Sequence, residues 1–381
     1  MTNELKNVPE LRFPEFEGEW ENSKLGTVAN VYDGTHQTPK YTSEGIKFLS
    51  VENIKTLNSN KFISKEAFEK EFKIRPEFGD VLMTRIGDVG TPNVVETNEY
   101  LAYYVSLALL KPKKLNSYFL ESLIRSQSVQ NELWRKTLHI AFPKKINKNE
   151  IAKVEINYPE QQEQQKIGEF FSKLDRQIEL EEQKLAKLEE QKKGYMQKIF
   201  SQELRFKDEN GNDYPEWEIK KLMQIAKVKT GSKNVQDNIQ DGKFKFFDRS
   251  VEVKYLNTFD FDETAIIYPG EGSKFLPRYF SGKYSLHQRA YSIYDININN
   301  NYLYYYLSLQ NNHFLKYAVG STVKSLRMSG FDKLKVMVPK NSEQEKIGDF
   351  FNELDELIEK QSSKIGVLKQ RKKGFLQKMF V

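Results

Sequence analysis

A stretch of 38 residues occurs twice in this chain, and that repeat constrains the fold more than any other feature. Glu163 to Phe200, EQQKIGEFFSKLDRQIELEEQKLAKLEEQKKGYMQKIF, returns without a gap as Glu343 to Phe380, EQEKIGDFFNELDELIEKQSSKIGVLKQRKKGFLQKMF, and 19 of the 38 pairs are identical. In both copies apolar residues recur at alternating spacings of four and three, the pattern of a coiled-coil seam. The first seam reads Ile167, Phe171, Leu174, Ile178, Leu185 and Leu188, continuing to Tyr195 and Ile199. The second reads Ile347, Phe351, Leu354, Ile358, Ile365 and Leu368, continuing to Phe375 and Met379. Even the polar interruptions coincide, Glu181 with Gln361 and Lys192 with Lys372. Identical registers predict two helices that pair with each other.

Each helix is on the order of 57 Å long at 1.5 Å per residue. Pairing in parallel and in register would set Lys192 against Lys372, bringing like charges together. An antiparallel pair instead puts each lysine at a helix end, where its methylenes can cover apolar neighbours while the ammonium stays in water. The antiparallel arrangement is therefore expected, with the two globular segments at opposite ends of a rod. A second short repeat agrees with it. ELRF follows the first long helix at Glu203 to Phe206 and also stands near the chain start, at Glu10 to Phe13. The chain reads as a circle of two half-repeats cut between helix and globular segment.

The repeat divides the 381 residues into globular segments at 1–160 and 201–340 and helices at 161–200 and 341–381. Segments of that size can each bury a core. The start, MTNELKNVPELRF, has no apolar leader region, no apolar run is long enough to span a bilayer, and there is no cysteine for a disulfide or thiolate metal site. A cytoplasmic protein without membrane contact is expected. Net charge is +6; the first helix is neutral and the second carries +1, which leaves +5 in the globular segments. Those segments are the parts to suspect of touching nucleic acid.

Residues 1–160 mix β-like runs (Lys47 to Ile54, Gly79 to Gly87, Leu101 to Pro112) with a helix expected over Ser117 to Lys136, capped by Ser117, and a closing strand over Ile151 to Pro159. Residues 201–340 follow the same plan. Trp20 and Gly34 match Trp217 and Gly231, a helix over Asn301 to Val319 stands where Ser117 to Lys136 stood, and Leu334 to Pro339 closes as a strand. The middle, TAIIYPGEGSKFLPRYFSGKYSLHQRAYSI, has no close counterpart in the first half. The fold class expected is α+β: two globular domains joined by two long helices that pair as an antiparallel coiled coil, with pseudo-two-fold symmetry. A duplicated scaffold with diverged middles is what two readers of different targets would show.

In these motifs, namely the repeated EQxKIGxFFxxLDxxIE…KKGxxQKxF helix, GTHQTPKY at Gly34 to Tyr41, GDVLMTRIGDVGT at Gly79 to Thr91, GEGSKF and SLHQRAYSI, the chain resembles the specificity subunit of type I restriction-modification systems over essentially its whole length. The resemblance implies two target-recognition domains, a bipartite site on double-stranded DNA, and assembly with a pair of methyltransferase subunits and with restriction subunits. It also implies no cofactor in this chain: S-adenosylmethionine would sit in the methyltransferase, ATP and Mg in the restriction subunit. Two domains entering the groove on one face of the duplex would have centres about 10 bp apart.

The chain's own chemistry agrees with a non-catalytic role. An adenine methyltransferase would carry an Asn/Asp-Pro-Pro-Tyr/Phe loop, and there is no Pro-Pro pair. Glu71-Phe72-Lys73 has the form of half a nuclease metal site but needs a converging acid. Neither glycine-rich loop has phosphate-loop spacing, and the four histidines are too dispersed for a metal. For DNA contact the candidates are Thr35, His36, Gln37, Lys40 and Tyr41 in the first half and His287, Gln288 and Arg289 in the second. Gln can bond adenine and Arg guanine bidentately in the major groove. Arg85, Arg249, Lys274, Arg278 and Arg327 lie beside Gly, Ser or Thr in loops suited to groove or phosphate contact, with Lys40, Lys233 and Lys324 as backbone anchors. For His287 and Arg289 a carbonyl or carboxylate partner within the protein is the alternative. For the whole chain the alternative is a coiled-coil scaffold that binds proteins only.

Overall fold

The structure, a computed structural model, describes residues 7–250 and 252–381; residues 1–6, where the leader reading begins, lie outside them. Two uninterrupted helices, Gln161–Phe200 and Asn341–Lys378, fill the repeated stretches. The chain forms two compact units: residues 1–183 with 363–381, and residues 184–362. Each unit takes one end of each long helix.

Within both units the two helix segments run antiparallel, so partner numbers rise on one side as they fall on the other. In the first unit the Phe170 ring meets Phe375 at 5.0 Å, Lys372 pairs with Asp175, and Lys369 meets Glu182 at 2.6 Å. In the second, Tyr195 meets Phe350 at 5.2 Å, Phe200 stacks on Phe351 at 5.9 Å, and Lys192 pairs with Asp355. The two seam lysines thus do more than keep their charge in water: each is neutralised by an aspartate of the facing helix.

Burial along the seam follows what covers it. Ile167, Phe171, Ile347 and Phe351 are sealed because a globular segment packs over them. Leu174, Leu185, Leu188, Leu354 and Ile358 are only half-buried, as two helices alone leave one side open, while Ile178, Ile365 and Leu368 are buried. One seam position is corrected. Tyr195 is exposed and Met196 is buried instead, because a straight helix at 3.6 residues per turn drifts away from a strict 3.5-residue repeat over several turns.

The small repeated residues acquire reasons. A Cβ on Gly168 would come within 2.8 Å of the Phe119 nitrogen, and one on Gly348 within 3.0 Å of the Asn301 Cβ, so each glycine lets the long helix touch the start of a domain helix. The ELRF arginines make matched forks. Arg12 donates to both oxygens of Glu163 at 2.8 and 2.7 Å, and Arg205 to both of Glu343 at 3.1 and 2.7 Å, both glutamates being fully buried. The Leu204 amide bonds the Lys198 carbonyl at the end of the first helix, and the Leu11 amide bonds the Lys378 carbonyl at the end of the second. The junction that is covalent in one unit is rebuilt by hydrogen bonds in the other, as the circular reading requires.

The expected single helices are each broken in two. Residues 117–136 form Ser117–Arg125 and Gln127–Lys136, because Ser126 is extended and its hydroxyl accepts the Val129 amide as a new cap. The first helix is capped by Asn116, not Ser117, whose hydroxyl bonds the Gly79 carbonyl. The second unit repeats the break as Asn300–Ser308 and Asn311–Tyr317. The start of the first expected closing strand belongs to the short helix Lys148–Ala152, and the strands proper are Glu155–Tyr158 and Lys335–Val338. They pair antiparallel with Glu21–Lys24 and Glu218–Lys221.

The middles, unlike in sequence, share a plan. In the first unit Ala29–Asp33 pairs antiparallel with Leu107–Pro112, and Ile46–Leu49 pairs parallel with Leu101–Tyr103. In the second, Lys227–Thr230 pairs antiparallel with Tyr291–Tyr294, and Phe244–Phe247 pairs parallel with the end of Arg278–Leu286. The first unit splits its strands into two four-stranded sheets, whereas the second joins six in one sheet, through the long pair Phe261–Tyr268 and Arg278–Leu286. The fold is α+β. Among the described residues no helix is long and apolar enough to cross a membrane.

Candidate nucleic-acid interface

One edge of each unit is built by the same set of backbone hydrogen bonds. Thr35 donates to Tyr103 as Lys233 does to Leu286, both at 3.1 Å. Tyr104 donates to Leu49 and His287 to Phe247, at 2.8 and 2.9 Å. Ile146 donates to Arg85 and Leu326 to Gly270, at 3.0 and 2.8 Å. Thr35 therefore stands where Lys233 stands, Tyr104 where His287 stands, and Arg85 where Gly270 stands. Gly34 and Gly231 make the turn possible, since a Cβ would come within 2.5 Å of the Tyr103 carbonyl in one and 1.9 Å of the Leu286 carbonyl in the other.

In the second unit this edge gathers most of the basic residues singled out in the sequence. The two-residue strand Glu271–Gly272 pairs with Lys324–Ser325. Glu271, nearly buried, holds Arg249 at 3.1 Å and also pairs with Arg289, and both guanidiniums remain about two-thirds exposed. Arg289, then Arg249, keeps the Glu271 carboxyl below its ordinary range. Such a carboxylate fixes two arginines without consuming them, because a guanidinium has five N–H donors and each pairing uses one or two. The alternative of a carboxylate partner for Arg289 is thus realised together with exposure toward solvent. The His287 Nδ1 accepts the Arg289 amide at 3.2 Å, and Gln288 donates to Asn234 at 2.9 Å. Burial pushes the His287 pKa down against the pull of Asp248 and Glu271, which favours the neutral ring. Lys274 and Arg327 are exposed beside this strand pair, and Lys324 is half-buried within it.

Three of the basic candidates are drawn inward. Arg85 is 4% exposed, donates to the Ile146 carbonyl at 2.9 Å and pairs with Asp33, so it positions the edge and does not face solvent. Arg278 turns toward the Ser250 carbonyl and supports the loop that carries Arg249. Lys233 is engaged by Asp260 at 3.2 Å. Arg85 and Arg278 lie on the strands Val81–Ile86 and Arg278–Leu286, not in loops as expected, and a Gly, Ser or Thr neighbour says nothing about which way a side chain points.

In the first unit the exposed candidates are His36, Gln37, Lys40 and Tyr41, the last with its ring edge-on to Phe48 at 5.7 Å; Thr35 is half-buried at the root of the loop. Sequence reasoning missed the neighbouring hairpin. Leu138 and Lys145 bond each other as the base of a turn that joins the edge through Gly87 donating to Lys144 at 2.8 Å. The turn carries His139, Lys144 and Lys145, with Lys148 3.8 Å from Asp33. The run KKINK at 144–148 was the available signal. Val319 and Ser325 form the equivalent base in the second unit.

Comparison with known proteins agrees with this organisation. The family model described as "Type I restriction modification DNA specificity domain" matches residues 17–190 and again 214–369. The type I restriction enzyme EcoDI specificity subunit of Escherichia coli is 28% identical over 162 residues, 42% of this chain and 36% of that protein. The chain thus spans about a third of the length of that curated relative. The crystal structure of a type I restriction-modification S subunit from M. genitalium matches over 98% of this chain and 99% of that one, with a TM-score of 0.67 at 15% identity. A chain from a structure of type I restriction-modification complex assembly matches over 94% and 96%, with a TM-score of 0.53 at 14% identity. At such identities these structures speak for the fold alone.

Proposed function

The chain belongs to the type I restriction modification DNA specificity family, and from that premise we propose that it is the specificity subunit of a type I restriction-modification enzyme, binding double-stranded DNA and reading a bipartite target with one half-site per recognition domain. The recognition domains are residues 1–160 and 201–340, with the helices at 161–200 and 341–381 as spacers. One observation carries the reading: the same backbone hydrogen bonds in the two units present different side chains, Thr35, Tyr104 and Arg85 against Lys233, His287 and Gly270. A scaffold that keeps its frame and changes what it displays suits two half-sites of different sequence. In the second half the reading side chains are Arg249, Gln288 and Arg289, with Lys274, Lys324 and Arg327 on phosphates. In the first they are His36, Gln37 and Tyr41, with Lys40 on the backbone.

The chain itself is non-catalytic and docks methyltransferase and restriction subunits. S-adenosylmethionine then belongs to the methyltransferase, and ATP with magnesium to the restriction subunit. The test is a map of methylated bases in the host genome with and without this chain. A split motif should disappear on deletion, and exchanging residues 201–340 for those of another family member should change one half of the motif only. Methyl transfer by the purified chain alone, or a motif that survives deletion, would overturn the proposal.

A further inference from the structure

The hairpin missed by sequence reasoning carries two apolar side chains with nothing around them. Ile140 and Phe142 are each completely exposed, 100% and 105%, at the tip between Leu138 and Lys145. A phenylalanine left in water forgoes about 1.5 to 3 kcal/mol of burial, and exposed apolar groups gathered at one projecting point mark a contact surface. The base below them is basic and aromatic. The Trp134 and His139 rings lie 4.1 Å apart, tilted at 51° to each other, and the Lys144 ammonium sits 4.8 Å from the Trp134 ring centroid. From Leu138 to Lys148 there is no acidic residue. Neither Lys144 nor Lys145 has an ion pair among the described residues, while the nearby acids Glu132 and Asp33 are taken up by Arg135 and Lys136, and by Arg85 and Lys148. Charge of one sign around an apolar point suits a polyanion with an apolar interior, which is a base stack between two phosphate chains. A protein surface would have to supply both an apolar pocket and a ring of acids.

We propose that the hairpin tip is a wedge, with Phe142 and Ile140 entering a base step of the half-site read by the first unit and unstacking it, while Lys144 and Lys145 bind the flanking phosphates. Wedges of Phe and Ile that part a base step and bend the duplex are an established physical strategy. The inference rests on the reading of the chain as a DNA-binding subunit. It also distinguishes the two units. The equivalent turn, Val319 to Ser325, offers only the half-exposed Val319 and Val323 beside Gly320, Ser321 and Thr322, too small to part a step.

The test uses the full chain in complex with its methyltransferase subunits and duplexes carrying the methylated motif, with 2-aminopurine placed at successive steps. Unstacking should raise the fluorescence at one step in or beside the first unit's half-site and at none in the other. The double variant Ile140→Ser, Phe142→Ser should lose that rise and bind about tenfold more weakly, as expected for one lost aromatic–base stack, with an unchanged salt slope. Lys144→Ala with Lys145→Ala should lower the salt slope by about two. Both tip residues are fully exposed, so folding is not at stake, and an unchanged circular dichroism spectrum checks this. A wild-type complex that binds with no rise at any step, or a double variant that keeps both rise and affinity, overturns the wedge and leaves the DNA-binding reading standing. A double variant that loses assembly with the methyltransferase makes the tip a protein contact and also overturns it. A wild-type complex that binds no duplex takes down the reading on which the wedge rests.

Discussion

The two units share a frame and differ in how their edges are furnished. In the first, the arginine at the matched edge position, Arg85, is buried against Asp33, and reach toward solvent comes from the loop 36–41 and the hairpin 138–145. In the second, that position is Gly270; a Cβ there would lie 1.2 Å from the Arg289 carbonyl, and this close approach brings Arg289 beside Glu271 with its guanidinium outward. One exchange between glycine and arginine thus decides whether positive charge at this point is buried in the fold or faces solvent. The frame tolerates the exchange because main-chain atoms, common to all residues, make its hydrogen bonds.

The helix ends give the largest expected effects. Phe200 packs against Trp217, Tyr302, Tyr306 and Phe351, whereas Phe380 packs against Trp20, Phe119 and Phe171. Truncating a buried phenylalanine to alanine costs about 3 to 5 kcal/mol. Phe200→Ala should destabilise the second unit by the upper end of that range and Phe380→Ala the first by the lower end, read by native-state hydrogen exchange, which reports each unit separately. Equal losses would show that the two helix ends are anchored equally despite their different ring sets.

The buried forks come next. Glu163→Gln and Glu343→Gln each leave an arginine without its counter-charge, at a cost of about 3 kcal/mol. The second change should cost more, since Trp217 Nε1 also donates to Glu343 at 3.1 Å, while the matching Trp20 Nε1 is buried with no partner among the described residues. Urea denaturation of the two variants measures the difference, and a larger loss for Glu163→Gln would contradict it.

Smaller effects test the edges. Arg289→Ala should weaken or relax the half-site read by residues 201–340 by about 1 to 3 kcal/mol and leave the other half intact. Competition with duplexes altered in one half at a time reads this out. Loss in both halves would sink the assignment. The smallest effect is one of pH. Burial lowers the His287 pKa below its unfolded value of 6.5, so stability from its neutral form is present above pH 6.5 and lost as pH falls through the folded pKa. The second unit should soften over that acid window, and His287→Asn should remove the effect. Thermal denaturation between pH 7 and 5 detects it.

The sequence alone determined the frame. A helical repeat of 38 residues with matching seams, matching interruptions and a matching ELRF entry specifies two long helices, their pairing direction and the two-part plan, because periodic burial is written residue by residue along a helix. Even the inert-looking glycines of the KIG segments were visible, though not their purpose. Tertiary structure decided the rest. Whether Arg85 or Arg289 reaches solvent depends on Asp33 and Glu271, brought in from strands distant in sequence. The break at Ser126 depends on a hydroxyl choosing a cap over helix continuation. The hairpin that lifts Ile140 and Phe142 clear of the surface depends on Leu138 and Lys145 meeting across a turn. Local pattern fixes what a helix buries, but the direction of a loop side chain is set by contacts that exist only once the chain has closed on itself.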